Sequence, residues 1–576
     1  MEGCVNDLLA KGAIRKCSDC PDQFISDIFL VPKPDGSSRF ILNLKHLNLS
    51  VSKFHFKLED FRMATRLIQR NCFMASLDLK DAYYSLYIHK DYTKFLRFRF
   101  NGVLYEFLCL PFGLTTAPFV FTKLLKPVAA FLRQQGFLSV IYLDDILLLG
   151  KSAEACSENV RSTMNLLRSL GFVVNLDKSH LVPSTIRKFL GFLFDSNKMC
   201  IRLPPEKVLL IKRRVSESLL LRRLKVRSFA RLIGYLVSCC PAVLGGWAHT
   251  KLCEREKSMA VRRCGGNFNG SFSLSLDARK ELSWWLNIDR FAENPIRSMT
   301  FVCEIFSDAS LTGWGASCQG NSFSGRWKTE ECMLHINHLE ILAAFLGLKC
   351  FASKLKNCEV LLRIDNTTAI SYINRMGGTR SLQLNRITQQ LWDWCLLRGI
   401  WVFASYISSS DNFTADLESR RQSECADIGM SWPSFNHICS LFGSPKIDLF
   451  ASRENAKCSQ YISWKPDPDS VAVDAFSVPW GHSFFYAFPP PVLIPRVLNK
   501  LAQDQARGIV ILPDWPAQAW FPLFLNLLDS EPIRISAKDA LLFSNREQEE
   551  FWSRITLVAG RLSGRPSREE DAHPNL

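Results

Sequence analysis

Two adjacent aspartates, Asp144 and Asp145, interrupt an otherwise apolar run from Val140 to Gly150. Both flanks of the run favour strands, so the pattern predicts two buried strands joined by a tight turn that carries the acids. Unpaired buried carboxylates are costly, whereas divalent cations bind hard oxygen ligands and cancel their charge. The residues alone allow two interpretations, a divalent cation site or the solvent-exposed turn of a plain hairpin.

Four further acids stand where predicted strands and helices begin or end. Asp308 and Asp365 lie in or directly after strand-like apolar runs, and Glu340 lies in a strong helical pattern. Asp416 begins a short helical stretch. Any one of these acids alone would more often be a helix cap or a surface charge.

A predicted hairpin over residues 29–42 carries two cations. Its turn signal is Pro34-Asp35-Gly36, and Lys33 and Arg39 lie on its two arms. Two cations near a hairpin tip suit a triphosphate, with Arg as a fork and Lys as a point charge. The alternative is an ordinary solvated face.

Asp78 lies in another strand-like run, after which the chain turns toward a helix. A carboxylate at a strand end could supply a third metal ligand, and Tyr83 could form a platform under a sugar. Gly113 lies among Pro and small residues that make a tight entry into the helical pattern of residues 119–132. Such an entry lets a backbone approach a base pair closely.

Five motifs stand in the order and spacing of reverse transcriptase motifs, and residues 8 to 195 resemble that family. The resemblance implies an RNA-directed DNA polymerase with a right-hand fold. Fingers and palm would occupy residues 1–195, and thumb and connection residues 196–300. The motifs are LDLKDAYY (77–84), LPFGLTTAP (110–118), YLDD (142–145), GFVVN (171–175) with Lys178, and FLGF (189–192).

The same resemblance implies a metal site. Asp78, Asp144 and Asp145 would hold two Mg²⁺ ions, with Mn²⁺ as the other candidate, to extend a DNA primer along an RNA template. Asp81 is expected to be a structural or solvated acid. Phe112 replaces a glutamine of some viral members, so contacts with the template are expected to differ there.

Substrate contacts are also implied by the resemblance. Lys33 and Arg39 match the fingers residues that contact the phosphates of an incoming dNTP. Tyr83 matches the ring that blocks a ribose 2′-hydroxyl, which favours dNTPs. Gly113 and Lys178 belong to the second and fourth motifs and are expected to bind substrate.

The four further acids resemble the ribonuclease H active site over about residues 301–421, within a predicted domain of residues 301–425. The resemblance implies two metal ions and cleavage of the RNA strand of an RNA–DNA hybrid. Many retroelement members carry His-Ile-Pro-Gly before the last motif, where this chain has Tyr406-Ile407-Ser408-Ser409. The implied catalytic metal ligands are Asp308, Glu340, Asp365 and Asp416.

Residues 430–560 predict a small α/β domain. It is similar to the Dam-type adenine methyltransferase domain of DIRS-group retrotransposons, which use a tyrosine recombinase. The catalytic motif differs from that of active methyltransferases. Phe488 stands where active members have Asn or Asp, and Pro491 stands where they have an aromatic ring. A retained binding or scaffold domain is therefore expected, followed by a disordered tail over residues 561–576.

Composition favours a nucleic-acid partner. The 576 residues are enough for three or four domains, and the formal net charge of +16 suits a polyanion. Residues 201–240 carry ten Lys or Arg against Glu206 and Glu217, with Leu and Ile at helical spacing. This pattern predicts basic amphipathic helices that grip a duplex backbone or, alternatively, lie on a membrane surface.

The sequence lacks a signal peptide and an apolar run long enough to span a membrane. Its 20 cysteines are interpreted as reduced thiols of an intracellular protein, and the retroelement resemblance implies the nucleus or the cytoplasm. Cys17-x-x-Cys20 and Cys239-Cys240 resemble half of a zinc site, but no second Cys/His pair lies at suitable spacing, so metal binding is not expected there. The alternative to an enzyme is a protein that derives from a retroelement, has lost catalysis and only binds nucleic acid or serves as a scaffold.

Overall fold

The chain divides into two compact units in a computed structural model, Met1–Ser298 and Met299–Leu576. Every helix in the described ranges is too short or too polar to cross a lipid bilayer. The described ranges are residues 1–32, 38–421, 428–543 and 546–565.

Helices and antiparallel strands are interspersed in the first unit, as the predicted α+β class requires. Its helices are α1 (Glu2–Ala10), α2 (Phe61–Leu67), α3 (Ala117–Gln134), α4 (Ala153–Ser169), α5 (Pro205–Leu220), α6 (Val226–Cys239), α7 (Lys251–Arg263) and α8 (Leu276–Trp284). Its strands are β1 (Ile14–Lys16), β2 (Ile28–Pro32), β3 (Ser38–Leu42), β4 (Phe73–Asp78), β5 (Arg97–Phe100), β6 (Val103–Phe107), β7 (Leu138–Tyr142), β8 (Asp145–Gly150), β9 (His180–Ser184), β10 (Ile186–Phe189), β11 (Phe192–Asp195), β12 (Cys200–Arg202), β13 (Leu224–Lys225), β14 (Ser271–Phe272) and β15 (Glu293–Pro295).

The sheet that carries the first acids has the strand order β7-β8-β4-β9. Both of its faces are covered, because alternate side chains of β8 enter different cores. Ile146 and Leu148 pack in the core that contains α3 and α4, and Leu147 and Leu149 in the core that contains α5 and α6. Burial on both faces explains why the run around the two aspartates is continuously apolar.

The remaining sheets of the first unit are small. Their strand orders are β1-β6-β5, β2-β3, β10-β11-β12-β15 and β13-β14. The predicted hairpin over residues 29–42 is the antiparallel pair β2-β3, and its tip, residues 33–37, lies outside the described ranges.

The basic segment forms two amphipathic helices, α5 and α6, as its helical spacing predicts. Ile211 and Val215 of α5 are fully buried, whereas Arg213 and Arg214 are exposed. Burial of one apolar stripe therefore fixes the helix and leaves its cations in solvent.

The second unit contains two larger sheets. Its helices are α9 (Ile336–Ala352), α10 (Thr367–Asn374), α11 (Leu382–Leu396), α12 (Phe413–Arg420), α13 (Trp432–Phe442), α14 (Ile494–Gln503), α15 (Phe521–Leu527), α16 (Ala537–Ala540) and α17 (Arg546–Trp552). Its strands are β16 (Phe301–Ala309), β17 (Gly313–Cys318), β18 (Asn321–Arg326), β19 (Glu359–Ile364), β20 (Trp401–Tyr406), β21 (Gly429–Met430), β22 (Ile447–Asp448), β23 (Gln460–Ser463), β24 (Ala472–Val473), β25 (Phe485–Ala487), β26 (Arg507–Pro513), β27 (Ile533–Ser536), β28 (Leu541–Leu542) and β29 (Thr556–Ser563).

The first of these sheets has the order β18-β17-β16-β19-β20. β17 lies antiparallel to β16 and β18, whereas β19 lies parallel to β16 and β20. Helix α9 packs on β16 and β17, and its residues 339–348 are all buried, as expected for a helix that is apolar on every side.

The second sheet has the order β24-β23-β22-β25-β26-β29-β27. Strands β22 to β26 are parallel to their neighbours, and β29 is antiparallel to β26 and β27. The predicted boundary of the tail at residue 561 is wrong. Arg561–Ser563 continue β29 and pair with residues 507–509, because Leu562 is needed to complete a buried core.

A buried ion pair holds the small β1-β6-β5 sheet of the first unit. Arg97 Nη2 lies 2.7 Å from Glu106 Oε2, with side chains 8% and 2% exposed. Arg15, which is 58% exposed, contacts the other carboxylate oxygen at 2.7 Å. Burial alone would raise the pKa of Glu106, but the hydrogen bonds from both guanidinium groups outweigh it and lower this pKa.

We expect Arg97→Met to lower the free energy of unfolding by about 3–5 kcal/mol, because it leaves a carboxylate buried with one exposed partner. The control Arg15→Met should cost about 1 kcal/mol or less, since that pair is open to solvent. Urea unfolding at pH 7 measures both. Equal losses of unfolding free energy in the two variants would contradict the conclusion that the buried Arg97 is the main partner of Glu106.

Because the pKa of Glu106 is lowered, the stabilisation from the pair is present above the ordinary carboxyl pKa of 4.5 and is lost as the pH falls through the folded-state value. The difference in the free energy of unfolding between the wild type and Arg97→Met should therefore become smaller as the pH is lowered. Urea unfolding at a series of acid pH values measures it.

Candidate active sites

The first acid cluster consists of Asp78, Asp144 and Asp145. It lies where the central strand β4 ends and its neighbour β8 begins. Asp78 is the register partner of Asp145 across the antiparallel pair β4-β8. The amide N–H of Leu79 donates to the main-chain oxygen of Asp144 over 2.9 Å. Backbone pairing therefore brings together acids that are more than sixty residues apart in sequence.

The turn between β7 and β8 is strained. Tyr142 pairs with Asp145, and Leu143 between them adopts a φ of 53°, a left-handed conformation that costs a branched residue free energy. The packed strands on either side hold this turn in its strained conformation. The turn thereby places both aspartates at the end of the sheet where β7 ends and β8 begins.

Burial and like charges act on these acids. The pKa of Asp145 is raised to about 6 by burial and by the charges of Asp144 and Asp78. The pKa of Asp144 is raised by burial and by Asp78, while Lys178 and Arg39 oppose the shift. The cluster therefore resists full ionisation and gains stability from bound positive charge.

Arg39 and Lys178 are exposed cations within electrostatic reach of Asp144. Lys178 also lines a cleft of about 440 Å³ together with Asp78, Asp145 and His180. Lys33, the other predicted phosphate contact, lies outside the described residues. A cleft that combines acids with surrounding cations suits a metal-bound polyphosphate.

Tyr83 is buried beside the first acid cluster. Its pKa is raised to about 12 by burial and by the charge of Asp144. Its ring centroid lies 4.9 Å from that of Phe112 in the adjoining loop. Gly113 in this loop has a φ of 97°, a backbone conformation that a residue with a Cβ rarely adopts. Asn48 holds the loop by donating to the main-chain oxygen of Gly113 over 2.9 Å.

The second acid cluster, Asp308, Glu340 and Asp365, is tighter. One carboxylate oxygen from each acid lies within 4.8 Å of the others, and among the described residues only this group of acids, imidazoles or thiols approaches so closely. Asp308 lies on the central strand β16, Glu340 in the buried helix α9, and Asp365 directly after β19. Asp78, Asp144 and Asp145 form a more open set.

The second acid cluster fits a divalent cation. The pKa of Glu340 is raised to about 9 by burial and by the charges of Asp308 and Asp365. Within the described part of the chain, Glu340 Oε2 is buried without a hydrogen-bond partner. A carboxylate oxygen left in this way costs free energy unless a cation or a proton occupies it.

Two serines that the sequence analysis missed support this cluster. Ser419 Oγ, from α12, lies 2.7 Å from Asp308 Oδ2, and Ser409 Oγ lies 2.7 Å from Asp365 Oδ2. Ser409 belongs to the stretch that departs from His-Ile-Pro-Gly, and Ser419 follows Asp416 by one helical turn. The spacing of Ser419 from Asp416 was therefore a usable signal.

Asp416 is near this cluster but outside the tight group. Its carboxylate pairs with Arg420 Nη2 over 2.8 Å, one turn along α12. Its charge nevertheless contributes to the raised pKa of Asp308, after burial and Asp365. Of the four predicted ligands in the second unit, three converge and the fourth is held by an arginine.

The two cysteine pairs contact other groups of the protein. Arg97 Nη1 lies 3.1 Å from Cys20 Sγ and donates to the main-chain oxygen of Ser18 over 3.1 Å, so a guanidinium fills the Cys17–Cys20 loop. Cys239 and Cys240 are buried in the apolar core, where burial raises the pKa of each thiol.

The second sheet of the second unit borders a cavity of about 730 Å³. Phe488, Pro489, Pro490 and Pro491 line it, directly after β25. At this strand end, where α/β sheets commonly bind ligands, these four residues present apolar side chains and no side-chain oxygen.

Part of the first unit matches a known protein family. Residues 31–194 match the family described as "Reverse transcriptase (RNA-dependent DNA polymerase)". The chain is 29% identical over 211 residues to the retrovirus-related Pol polyprotein from transposon opus of Drosophila melanogaster, and 28% identical over 191 residues to the Tf2-3 polyprotein of Schizosaccharomyces pombe. These matches cover 35% and 33% of this chain, but only 20% and 14% of the relatives.

Among solved structures, a foamy viral protease–reverse transcriptase with double-stranded DNA has 18% identity and a TM-score of 0.45, over 70% of this chain and 69% of the other. The same viral protein with an RNA/DNA hybrid has 16% identity and a TM-score of 0.44, over 70% and 52%. Residues 31–194 of this chain form a reverse transcriptase domain, similar to those of retrotransposon polyproteins.

Proposed function

We propose that this chain copies RNA into DNA and removes the RNA template, as a DNA polymerase joined to a ribonuclease H from a DIRS-like retrotransposon. One observation carries the polymerase: Asp78 and Asp145 face each other across paired strands, with Asp144 on the adjoining turn, inside a reverse transcriptase domain. Its partners would be an RNA template, a DNA primer and dNTPs.

The residues of the first site have separable tasks. Asp78, Asp144 and Asp145 would hold two Mg²⁺ or Mn²⁺ ions, which activate a primer hydroxyl and neutralise the leaving pyrophosphate. Arg39 and Lys178 would receive the triphosphate, together with Lys33. The buried ring of Tyr83 would exclude a ribose 2′-hydroxyl, and the backbone at Gly113 would lie against the base pair.

The ribonuclease H proposal is carried by the mutual approach of Asp308, Glu340 and Asp365 and by the unpartnered oxygen of Glu340. These acids would hold the divalent ions that activate water and support the departing 3′-oxygen. Ser419 and Ser409 would fix two of the carboxylates. Asp416 would contribute once its pairing with Arg420 is broken.

We also propose that residues 430–560 form a degenerate relative of Dam-type methyltransferase domains and serve as a binding or scaffold domain. The apolar strand end at Phe488 supports this, because it offers no acceptor for a target amine. The whole protein would act inside the cell, in the nucleus or the cytoplasm.

Asp144→Asn should lower primer extension on an RNA template with Mg²⁺ by about a thousandfold, since it removes a metal-binding carboxylate. Asp81→Asn is the matched control. Asp81 pairs with Lys11 over 3.2 Å, so this variant should stay within about tenfold of the wild type. Equal activity in wild type and Asp144→Asn would refute the polymerase proposal.

Asp365→Asn should abolish cleavage of a labelled RNA–DNA hybrid while primer extension continues. The control is Asp411→Asn, an exposed acid in the loop that carries Ser409, where it accepts a hydrogen bond from Ser408. We expect about a hundredfold loss or more for Asp365→Asn and little change for Asp411→Asn. A hybrid cut equally well by both variants would exclude the second acid cluster as the nuclease site.

Glu340→Gln should stabilise the metal-free protein at pH 8.5. The pKa of Glu340 is about 9 when folded and 4.5 ordinarily, so the folded state keeps a proton that the unfolded state releases. Stability is therefore lost as the pH rises between these values, and Gln removes that loss. Urea unfolding in EDTA should show a gain of about 1–3 kcal/mol at pH 8.5 and a smaller one at pH 5. A loss at pH 8.5 would contradict this electrostatic account.

A further inference from the structure

Within the second unit, β18 of the first sheet and the segment after it contact the loop that follows β22 of the second sheet. Arg453 Nη1 lies 3.1 Å from Glu331 Oε2, and their side chains are only 10% and 16% exposed. Glu454 accepts a hydrogen bond from the amide of Arg326. Contacts this buried keep the two sheets in a fixed relation without help from a ligand.

A cleft of about 260 Å³ lies along this seam. One wall comes from β17 and β18, and the other from the loops after β22 and β23. Arg326, Arg421, Arg453 and Lys465 line the cleft together with two acids, Glu454 and Asp467. Arg453 is paired with Glu331, and Arg421, whose side chain is 55% exposed, also contacts Glu418 over 3.2 Å. Asp467 accepts hydrogen bonds from the Tyr461 hydroxyl over 2.7 Å and from the Arg453 amide over 3.0 Å. The cations that the cleft offers to an anion are therefore Arg326, Lys465 and the exposed Arg421.

Trp464 stands at the mouth of the cleft with 71% of its surface exposed. An indole this exposed leaves a large apolar face in water, and Lys465 Nζ lies 5.5 Å from its ring centroid. Trp464 and Ser452 also line the 730 Å³ cavity, so the cleft and that cavity adjoin each other. A flat aromatic platform beside exposed cations is the arrangement that binds single-stranded nucleic acid.

We infer that this cleft binds single-stranded nucleic acid, with a base stacked on Trp464 and the adjoining phosphates on Arg326, Arg421 and Lys465. The inference rests on the proposed function, because removal of RNA from a hybrid leaves a single strand of DNA near the second acid cluster. Helix α12 links the two sites: Ser419 contacts Asp308, and Arg421 at the end of the helix lines the cleft. The cleft would hold the strand that the nuclease has freed.

The test uses the full chain with its polymerase cleft occupied by excess unlabelled template–primer. Fluorescence anisotropy of labelled oligo(dT) and oligo(rU) twelve-mers then reports the second site, and the two oligonucleotides distinguish DNA from RNA as its occupant. Trp464→Ala should weaken binding about tenfold or more, since stacking of one base contributes that much. The control Trp432→Ala removes another exposed indole of the same domain, 53% exposed and outside the cleft, and should leave binding unchanged.

Two substitutions that each remove one positive charge test the phosphate contacts. Arg326→Gln should weaken binding and reduce the slope of log Kd against log salt by about one, whereas Lys354→Gln, an exposed cation at the end of α9, should change neither. Photocrosslinking with bromouracil oligonucleotides should label the peptide that contains Trp464.

Equal affinity of Trp464→Ala and wild type, or a crosslink confined to the first unit, would overturn the inference. Primer extension and hybrid cleavage are measured on the same preparations. Intact activities with unchanged oligonucleotide binding would reject the cleft alone. Absent activities in the wild type, with binding that depends on Trp464, would reject the proposed function and keep the cleft.

Discussion

Mutual repulsion between carboxylates held at strand ends is the constraint on which both units depend. Backbone pairing of β4 with β8 forces Asp78 and Asp145 together, and helix α9 carries Glu340 into an apolar core beside Asp308. Neither arrangement is favourable without positive charge, because burial and like charges both disfavour ionisation. The surrounding structure must therefore supply enough packing to hold the acids in place, and the fully buried residues of β8 and α9 do so.

The two clusters meet this constraint differently. The first is more open and is bordered by Arg39 and Lys178, whose charges oppose the raised pKa of Asp144. Such a site has room and positive charge at its border for a large anionic substrate. The second is tight, with Glu340 only 5% exposed and serines fixing Asp308 and Asp365. Under the proposed ribonuclease H function, a small, preorganised site of this kind would suit hydrolysis of one phosphodiester by water.

The last sheet of the chain follows another principle. The end of β25 presents Phe488 and prolines to the adjoining cavity, and the loop after β22 contacts the preceding sheet and the segment after it through Arg453 and Glu454. These contacts fit the binding or scaffold role proposed for this domain. Strand β29 runs to Ser563 and pairs with the whole length of β26.

Much of this organisation follows from local sequence. The apolar flanks of Asp144 and Asp145 predict a buried hairpin, and the spacing of leucines predicts α5 and α6, because these patterns report burial of single elements. Contacts between distant segments cannot be obtained in this way. Ser419 beside Asp308, Arg97 inside the Cys17–Cys20 loop, the arginine pairing of Asp416 and the exposure of Trp464 all depend on which elements pack together. The sequence by itself therefore determined the elements and the acids they carry, whereas the tertiary structure alone decided their partners, because side-chain partners are set by long-range packing.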